Sequence, residues 1–210
     1  MSIADHVAIF LAGSLDAPKA GKAKPDRPEF WGLFAFPPSA GADLTAACQA
    51  AAGGSLAGMR LAPKLHSRLE PDKQFAGIPQ DWLIVRMGTG PDFPPALFLL
   101  DGSSVQALPI NGAKIRTDLF AGQKVRVNAH GFAYPPKNGG PAGVSFSLDG
   151  VMAVGGGERR SSSSEGGEPS ESVFAKYRAE VAAAPAASTA PATTGNPFQQ
   201  SAAGTDNPFG

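Results

Sequence analysis

Polar and apolar residues alternate most regularly over residues 124–130, where Val125, Val127 and Ala129 separate polar neighbours. This alternation predicts a half-buried β-strand with one face toward a core. The same pattern returns over residues 143–148, after a loop rich in Pro and Gly at 135–141. The two segments therefore predict an antiparallel hairpin.

Short apolar runs predict five further strands, at residues 7–11, 29–36, 82–87, 96–100 and 105–108. The Ala-rich run at 42–52 has high helix propensity and is ended by Gly53 and Gly54. Residues 16–28, rich in Pro, Gly and Lys, are predicted as a solvated loop. The fold class that follows is all-β with one short helix, as a small antiparallel barrel or sandwich.

Strand periodicity also predicts which aromatic residues lie inside the protein. In 29–36 one face carries Phe30, Phe34 and Phe36 around Gly32, and the other carries Trp31. The predicted core rings are Phe34, Phe36, Trp82, Phe98 and Phe146.

The composition changes beyond Gly155, where Gly and Ser runs are followed from residue 182 by Ala, Pro, Thr, Ser and Gly. Such a segment cannot bury enough apolar surface to offset its chain entropy. We therefore predict a binding domain at 1–156, a linker at 157–181 that can form a short docking helix at 173–177, and a disordered tail at 182–210. The tail contains one motif twice, as Asn196-Pro197-Phe198 and as Asp206-Asn207-Pro208-Phe209.

Sequence features argue against an enzyme. The three histidines lie far apart and Cys48 is the single cysteine, so no zinc-site spacing occurs. There is no phosphate-binding loop and no nucleophile elbow. We expect no metal, no cofactor, no small-molecule substrate and no catalytic residue.

Location and charge give only broad expectations. A lone cysteine suits a reducing compartment, and no apolar run reaches the ~20 residues that span a bilayer. The N-terminus lacks the features of a signal peptide. These observations predict a soluble cytoplasmic protein with no membrane partner. The formal net charge is zero, so whole-chain charge does not indicate a polyanionic partner.

Basic and aromatic residues on the predicted strands suggest contacts with nucleic acid. Cations along exposed strands can follow a phosphate backbone while neighbouring rings stack on bases. Alternating Lys and Arg on the outer face of a barrel more often form only a solvated surface. The candidate DNA contacts are the cations Arg86, Lys114, Arg116, Lys124, Arg126 and Lys137 and the rings Trp31, Phe132 and Tyr134, all inferred from exposure on strands.

The second half of the chain resembles a phage family of OB-fold single-stranded DNA-binding proteins, related in fold to those of T-odd phages. In that family an aromatic-Ala/Ser-Gly turn precedes a Val-Arg-Val strand that ends in aromatic-Ala-Tyr, and a Gly-Val-Ser-Phe-x-Leu strand follows. The matching pieces are Phe120-Ala-Gly, Val125-Arg-Val, Phe132-Ala-Tyr and Gly143-Val-Ser-Phe-Ser-Leu. Residues 82–100, with Asp92-Phe-Pro-Pro, and Phe174 after an acidic linker are also similar to it.

This resemblance implies an OB-fold barrel, in a host cytoplasm, that coats single-stranded DNA during phage replication, recombination or repair without strong sequence preference. The tail motifs would then recruit replication or recombination proteins. The alternative is a non-enzymatic structural or adaptor protein that acts through the two Asn-Pro-Phe motifs.

Overall fold

The computed structural model describes residues 2–21, 24–136 and 139–160. The predicted docking helix and tail motifs, as well as Lys137, lie outside the described residues. Within these residues the chain forms nine strands and two α-helices. They are β1 (Val7–Gly21), β2 (Lys24–Phe36), α1 (Gly41–Ala52), β3 (Arg60–Leu61), β4 (Lys64–Leu65), β5 (Leu83–Thr89), β6 (Ala96–Phe98), β7 (Ser104–Gln106), α2 (Gly112–Asp118), β8 (Lys124–Tyr134) and β9 (Gly143–Ala153).

Five of the strands close into a barrel. β1 pairs antiparallel with β2, and β2 with β5. β5 runs parallel to β9, where Met87 lies opposite Phe146, and β9 pairs antiparallel with β8. β8 returns to β1 through the pair Val7 and Arg126. A closed five-stranded barrel with this strand order is the OB architecture, so the predicted fold class is confirmed.

The other four strands extend the barrel at its edges. β3 and β6 lie parallel to the two ends of β9, β7 pairs with β6, and β4 pairs with β5. The hairpin predicted from alternation is present as β8 and β9, which pair from Val125 and Ala153 to Tyr134 and Gly143.

The interior of the barrel is built from the inward-facing residues of its strands. Phe34, Phe36 and Phe146 are fully buried there, which confirms their predicted core positions. Helix α1 buries Leu44 and Cys48 in the same cluster. It packs against β8, where a Cβ at Gly131 would lie 2.8 Å from the Ala47 carbonyl oxygen. The helix ends as predicted, with Gly53 in the left-handed region at φ 74°.

A second apolar cluster covers part of the outside of the barrel. Its buried members are Leu11, Ala35, Ile78 and Ile84, and Trp82 packs against them half-buried. His66 anchors this covering segment by accepting a 2.8 Å hydrogen bond from the Phe75 backbone N–H. Along β2 this cluster extends as far as Leu33, which lies opposite Arg86, and it does not include Trp31.

The predicted loop at 16–28 is wrong. β1 continues to Gly21 and β2 begins at Lys24, with Lys19 opposite Glu29 and Ala20 opposite Pro28. A hairpin that projects into solvent is held by its backbone ladder and needs no buried face, so its residues show no apolar alternation.

Two further features differ from the sequence-based expectation. Residues 112–118 form α2, a helix that the strand predictions omitted. Phe98, predicted as core, is 37% exposed, because it belongs to the three-residue strand β6 and points outward there, beside Met152 of β9. None of the helices in the described part of the chain has the length and apolar character that crossing a membrane requires.

Candidate nucleic-acid interface

Beyond the second apolar cluster, β2 and β5 bring together a half-buried aromatic ring, Trp31, and an exposed cation, Arg86. Trp31 of β2 lies opposite Gly88 of β5, and Arg86 lies two residues earlier on β5. The Arg86 guanidinium carbon lies 5.1 Å from the centroid of the Trp31 ring, within the range of a cation–π interaction. Arg86 also donates a hydrogen bond to the Glu29 carboxylate. We call these three side chains the Trp31–Arg86 surface.

The composition of this surface suits a single strand of nucleic acid. A base can stack on an indole ring or on a guanidinium plane, and the positive charge attracts a phosphate. The Arg86 side chain is half-exposed, so it can exchange Glu29 for a phosphate without unfolding the strand. Gly88, opposite Trp31, adds no side chain next to the ring; a Cβ there would lie 3.4 Å from the Trp31 Cβ.

A second aromatic pair lies at the far end of the β8–β9 hairpin. Phe132 is 44% exposed and lies opposite Ser145. Tyr134 lies opposite Gly143 and folds over it, so a side chain at Gly143 would collide with the tyrosine ring. Lys137 belongs to the connection that follows, outside the described residues.

The Trp31–Arg86 surface and the Phe132–Tyr134 pair lie on the elements with which OB folds bind oligonucleotides. Barrel strands two and three, together with the connections between strands one and two and between four and five, form the usual binding surface. Here strands two and three are β2 and β5, which carry Trp31 and Arg86. The connection between strands four and five is the β8–β9 loop beside Phe132 and Tyr134.

Arg126, predicted as a backbone contact, has a structural partner. Its guanidinium donates hydrogen bonds of 2.9 and 2.8 Å to the carbonyl oxygens of Ala4 and Asp5. It is half-buried and fixes the segment before β1 against β8. Lys124, two residues earlier, is exposed at the start of the strand.

Lys114 and Arg116 lie on helix α2 and not on a strand, which corrects their predicted placement. Lys114 donates to Asp101 at 2.8 Å and to Ser103 at 3.1 Å. Arg116 pairs with Asp16 of β1. Hydrogen bonds from Lys114 and Ser103 hold the pKa of Asp101 below its usual range.

Sequence reasoning missed an open pocket beside the barrel. It has a volume of about 390 Å³ and is lined by Thr89, Phe93, Pro94, His130, Ser147, Leu148 and Asp149. Phe93 is 74% exposed, and His130 and Asp149 are joined by a hydrogen bond of 2.8 Å. The one available signal was an apolar ring at Phe93 set among Asp92, Pro94 and Pro95 in a loop.

The described residues contain no group of three or more His, Cys, Asp or Glu side chains placed to hold a metal ion. Cys48 is buried, and this burial raises the pKa of its thiol. The thiol faces the core and does not reach the Trp31–Arg86 surface.

No protein-family model and no curated protein matches the sequence. Solved structures do match in fold. The single-stranded DNA-binding protein from bacteriophage Enc34 in complex with ssDNA aligns with a TM-score of 0.58 at 15% identity, over 74% of this chain and 87% of that one.

A second structure of the Enc34 protein aligns with a TM-score of 0.54 at 14% identity, over 80% of this chain and 87% of that one. gp2.5, a single-stranded DNA-binding protein encoded by bacteriophage T7, gives a TM-score of 0.35 at 13% identity, over 77% and 97%. The comparison therefore rests on the Enc34 structures. The described part of this chain has the fold of the Enc34 phage protein, as the sequence resemblance predicted.

Proposed function

We propose that this chain binds and protects single-stranded DNA, without strong sequence preference, during phage DNA replication, recombination or repair. It does so in the cytoplasm of the host cell and without a catalytic step. One observation carries the proposal: Trp31 and Arg86 lie together on the two barrel strands that OB folds use for oligonucleotides. The fold shared with the Enc34 protein, whose structure was solved with ssDNA, supports it.

The strand would follow the outer face of β2 and β5 at Trp31 and Arg86 and continue to the β8–β9 connection. Bases stack on Trp31, Phe132 and Tyr134. Arg86 exchanges its ion pair with Glu29 for an ion pair with a phosphate. Each stack contributes about 1–3 kcal/mol by general experience with such sites. Stacking is tolerant of sequence because every base has a flat aromatic face, so binding of this kind discriminates weakly among bases.

The other proposed contacts are charges of smaller individual effect. Lys124 is exposed at the start of β8. Lys114 and Arg116 are exposed on α2 and are paired with Asp101 and Asp16, so they would contribute mainly long-range attraction to the phosphates. Lys137 belongs to the β8–β9 connection, where OB folds commonly touch their ligand. Arg126 is the weakest of the proposed contacts, because its guanidinium already serves two backbone carbonyls.

The test is a gel shift with labelled oligo-dT and with a duplex of matching length, at two salt concentrations. We expect the single strand to be retarded in preference to the duplex, and the shift to weaken as salt rises because phosphate contacts release counterions. No shift at micromolar protein would reject DNA binding and would favour the adaptor alternative.

The remainder of the chain is proposed as a recruiting arm. Residues 1–156 would form the binding domain, 157–181 a linker, and 182–210 a flexible tail that presents Asn196-Pro197-Phe198 and Asp206-Asn207-Pro208-Phe209 to replication or recombination proteins. Two copies of a motif on one chain raise its effective concentration at a partner. The support for this part is the repeated motif and the tail's composition.

Removing residues 206–210 separates the two activities. We expect the affinity for oligo-dT to stay within about twofold, because the barrel is intact. The pull-down of purified replication or recombination proteins should fall strongly, because one of the two Asn-Pro-Phe copies is removed. A matched control removes five residues at 185–189, which leaves both motifs in place. Loss of DNA affinity on removing residues 206–210 would contradict the proposal that the barrel binds DNA and the tail binds partner proteins.

A further inference from the structure

The open pocket beside the barrel adjoins the Trp31–Arg86 surface. Ser147, which lines the pocket, follows the buried Phe146, and Phe146 lies opposite the buried Met87 that precedes Gly88. Alternation along both strands therefore places Ser147 on the same outer face as Gly88, the residue opposite Trp31. Phe93 and Pro94 come from the β5–β6 connection, His130 from β8 and Asp149 from β9. A strand that stacks on Trp31 therefore passes within reach of the pocket mouth.

A β-bulge sets the position of the carboxylate in this pocket. Asn128 pairs with Gly150 and Ala129 pairs with Leu148, so Asp149 is the extra residue without a partner opposite. Bulges of this kind redirect a side chain out of the regular ladder and are frequent next to binding sites. The redirected Asp149 carboxylate accepts a 2.8 Å hydrogen bond from His130 Nδ1.

The His130–Asp149 pair fixes the acceptor character of the site. An ionised carboxylate only accepts hydrogen bonds, so the proton lies on Nδ1 of His130. The two oxygens of Asp149 offer about four acceptor positions, of which His130 occupies one. His130 is thus a positioning residue, and acceptor positions remain for a ligand that donates hydrogen bonds.

The chemistry of the pocket selects a base over a phosphate. Among the described residues that line it there is no Lys or Arg, and a carboxylate repels a phosphate group. The exposed ring of Phe93 offers a flat face for stacking. The occupant therefore needs an aromatic plane and hydrogen-bond donors on its edge.

We propose that this pocket receives one base of the bound strand and prefers guanine over thymine. Guanine offers two adjacent donors, its ring N–H and its exocyclic amine, which match the two oxygens of a carboxylate. Thymine offers a single N–H between two carbonyl oxygens, and these would face Asp149 unfavourably. Phe93 provides the stacking partner. This inference rests on the proposed DNA-binding function and adds a local preference to a surface that otherwise ignores sequence.

The experiment compares two oligonucleotides with the full chain by fluorescence anisotropy. One is oligo-dT and the other is the same oligo-dT with isolated, widely spaced guanines, in a lithium buffer that prevents quadruplexes. We expect the guanine-containing strand to bind on the order of fivefold more tightly or better, the discrimination typical of a well-formed pair of hydrogen bonds to a base edge.

Substitution of the carboxylate tests its role. In Asp149→Asn one acceptor becomes a donor, so we expect the preference to fall to within about twofold of none while oligo-dT affinity stays near that of the wild type. Asp72→Asn is the matched control, because Asp72 is exposed outside the pocket and the change removes the same charge. Phe93→Ala should also reduce the preference for guanine. Because Phe93 is exposed, this substitution should not destabilise the fold.

The outcomes separate the two proposals. If oligo-dT itself is not bound, the proposed function fails and this inference fails with it. If oligo-dT is bound but guanines add nothing, or if Asp149→Asn keeps the preference, the base pocket is rejected and single-stranded DNA binding stands.

Discussion

The Trp31–Arg86 surface and helix α2 both present cations to solvent, and in both places each cation is paired with a carboxylate. Arg86 is paired with Glu29, Lys114 with Asp101, and Arg116 with Asp16. The difference lies in what else each cation contacts. Arg86 lies over the ring of Trp31, whereas in the described residues no aromatic ring lies beneath Lys114 or Arg116.

Under the proposed function, the two regions differ in more than the number of their exposed cations. An exposed ion pair contributes little to stability, typically 0–1 kcal/mol, so any of these cations could exchange its carboxylate for a phosphate. A single strand also needs a surface on which its bases stack, and that surface is present beside Arg86 and not on α2. The two regions should therefore respond very differently to substitution.

Removal of the ring at Trp31 should have the largest effect. In Trp31→Ala a stacking platform worth about 1–3 kcal/mol is lost, so the Kd for oligo-dT should rise about 5- to 150-fold. Fluorescence anisotropy at fixed salt measures this, with circular dichroism to establish that the barrel is folded.

Trp31→Phe is the matched control, since it keeps an aromatic face. It should lose much less affinity than Trp31→Ala. Equal losses in the two variants would mean that Trp31 acts through packing and not through stacking.

Loss of charge at Arg86 should have the next largest effect. Arg86→Gln removes one phosphate contact, which lowers the salt-dependence slope of the binding constant by about 0.7 for a single strand. Affinity at moderate salt should fall several-fold. A salt titration from low to moderate concentration measures the slope, and an unchanged slope would show that Arg86 stays with Glu29 when DNA binds.

The double substitution Lys114→Gln and Arg116→Gln on α2 should have a smaller effect than Arg86→Gln alone. Only long-range attraction is lost, and salt screens it beyond about 8–10 Å at ordinary ionic strength. The same salt titration should give a slope close to that of the wild type. A slope reduced by more than about 1 would place the strand across α2 and reverse the comparison.

The sequence predicts the regions of the barrel that have one buried face. The β8–β9 hairpin was predicted because Val125 and Val127 alternate with polar residues, and alternation reports burial on one side. The part of the β1–β2 hairpin at residues 16–21 and 24–28 has no such face, so its strand pairing is not visible as alternation in the sequence. Helix α2 was missed for a related reason, since within its seven residues the buried positions are Gly112 and Ile115.

The candidate site could be predicted only in part, because it depends on register. That Trp31 and Arg86 share a face follows from the pairing of β2 with β5, and nothing local to either strand contains that pairing. Arg126 illustrates the converse: its alternation with valines predicted an exposed cation, but the segment before β1 supplies two carbonyl oxygens. Asp149 depends on a bulge, which alternation in one strand does not reveal.

The smallest effect concerns the ion pair between Lys114 and Asp101. The pKa of Asp101 lies below its usual range because Lys114 and Ser103 donate to its carboxylate. A lowered pKa means that this interaction is present above the ordinary pKa of an aspartate, about 3.9, and is lost as the pH falls toward the pKa of the folded state.

In Lys114→Ala the Ser103 hydrogen bonds remain, so the pKa of Asp101 should rise part of the way back. NMR titration of its carboxyl carbon measures this, with Lys73→Ala as a control that removes an exposed lysine paired elsewhere, with Glu70. An Asp101 pKa unchanged by Lys114→Ala would mean that Lys114 is not paired with Asp101 in solution, so that of these two cations only Arg86 would have to leave a carboxylate before it meets a phosphate.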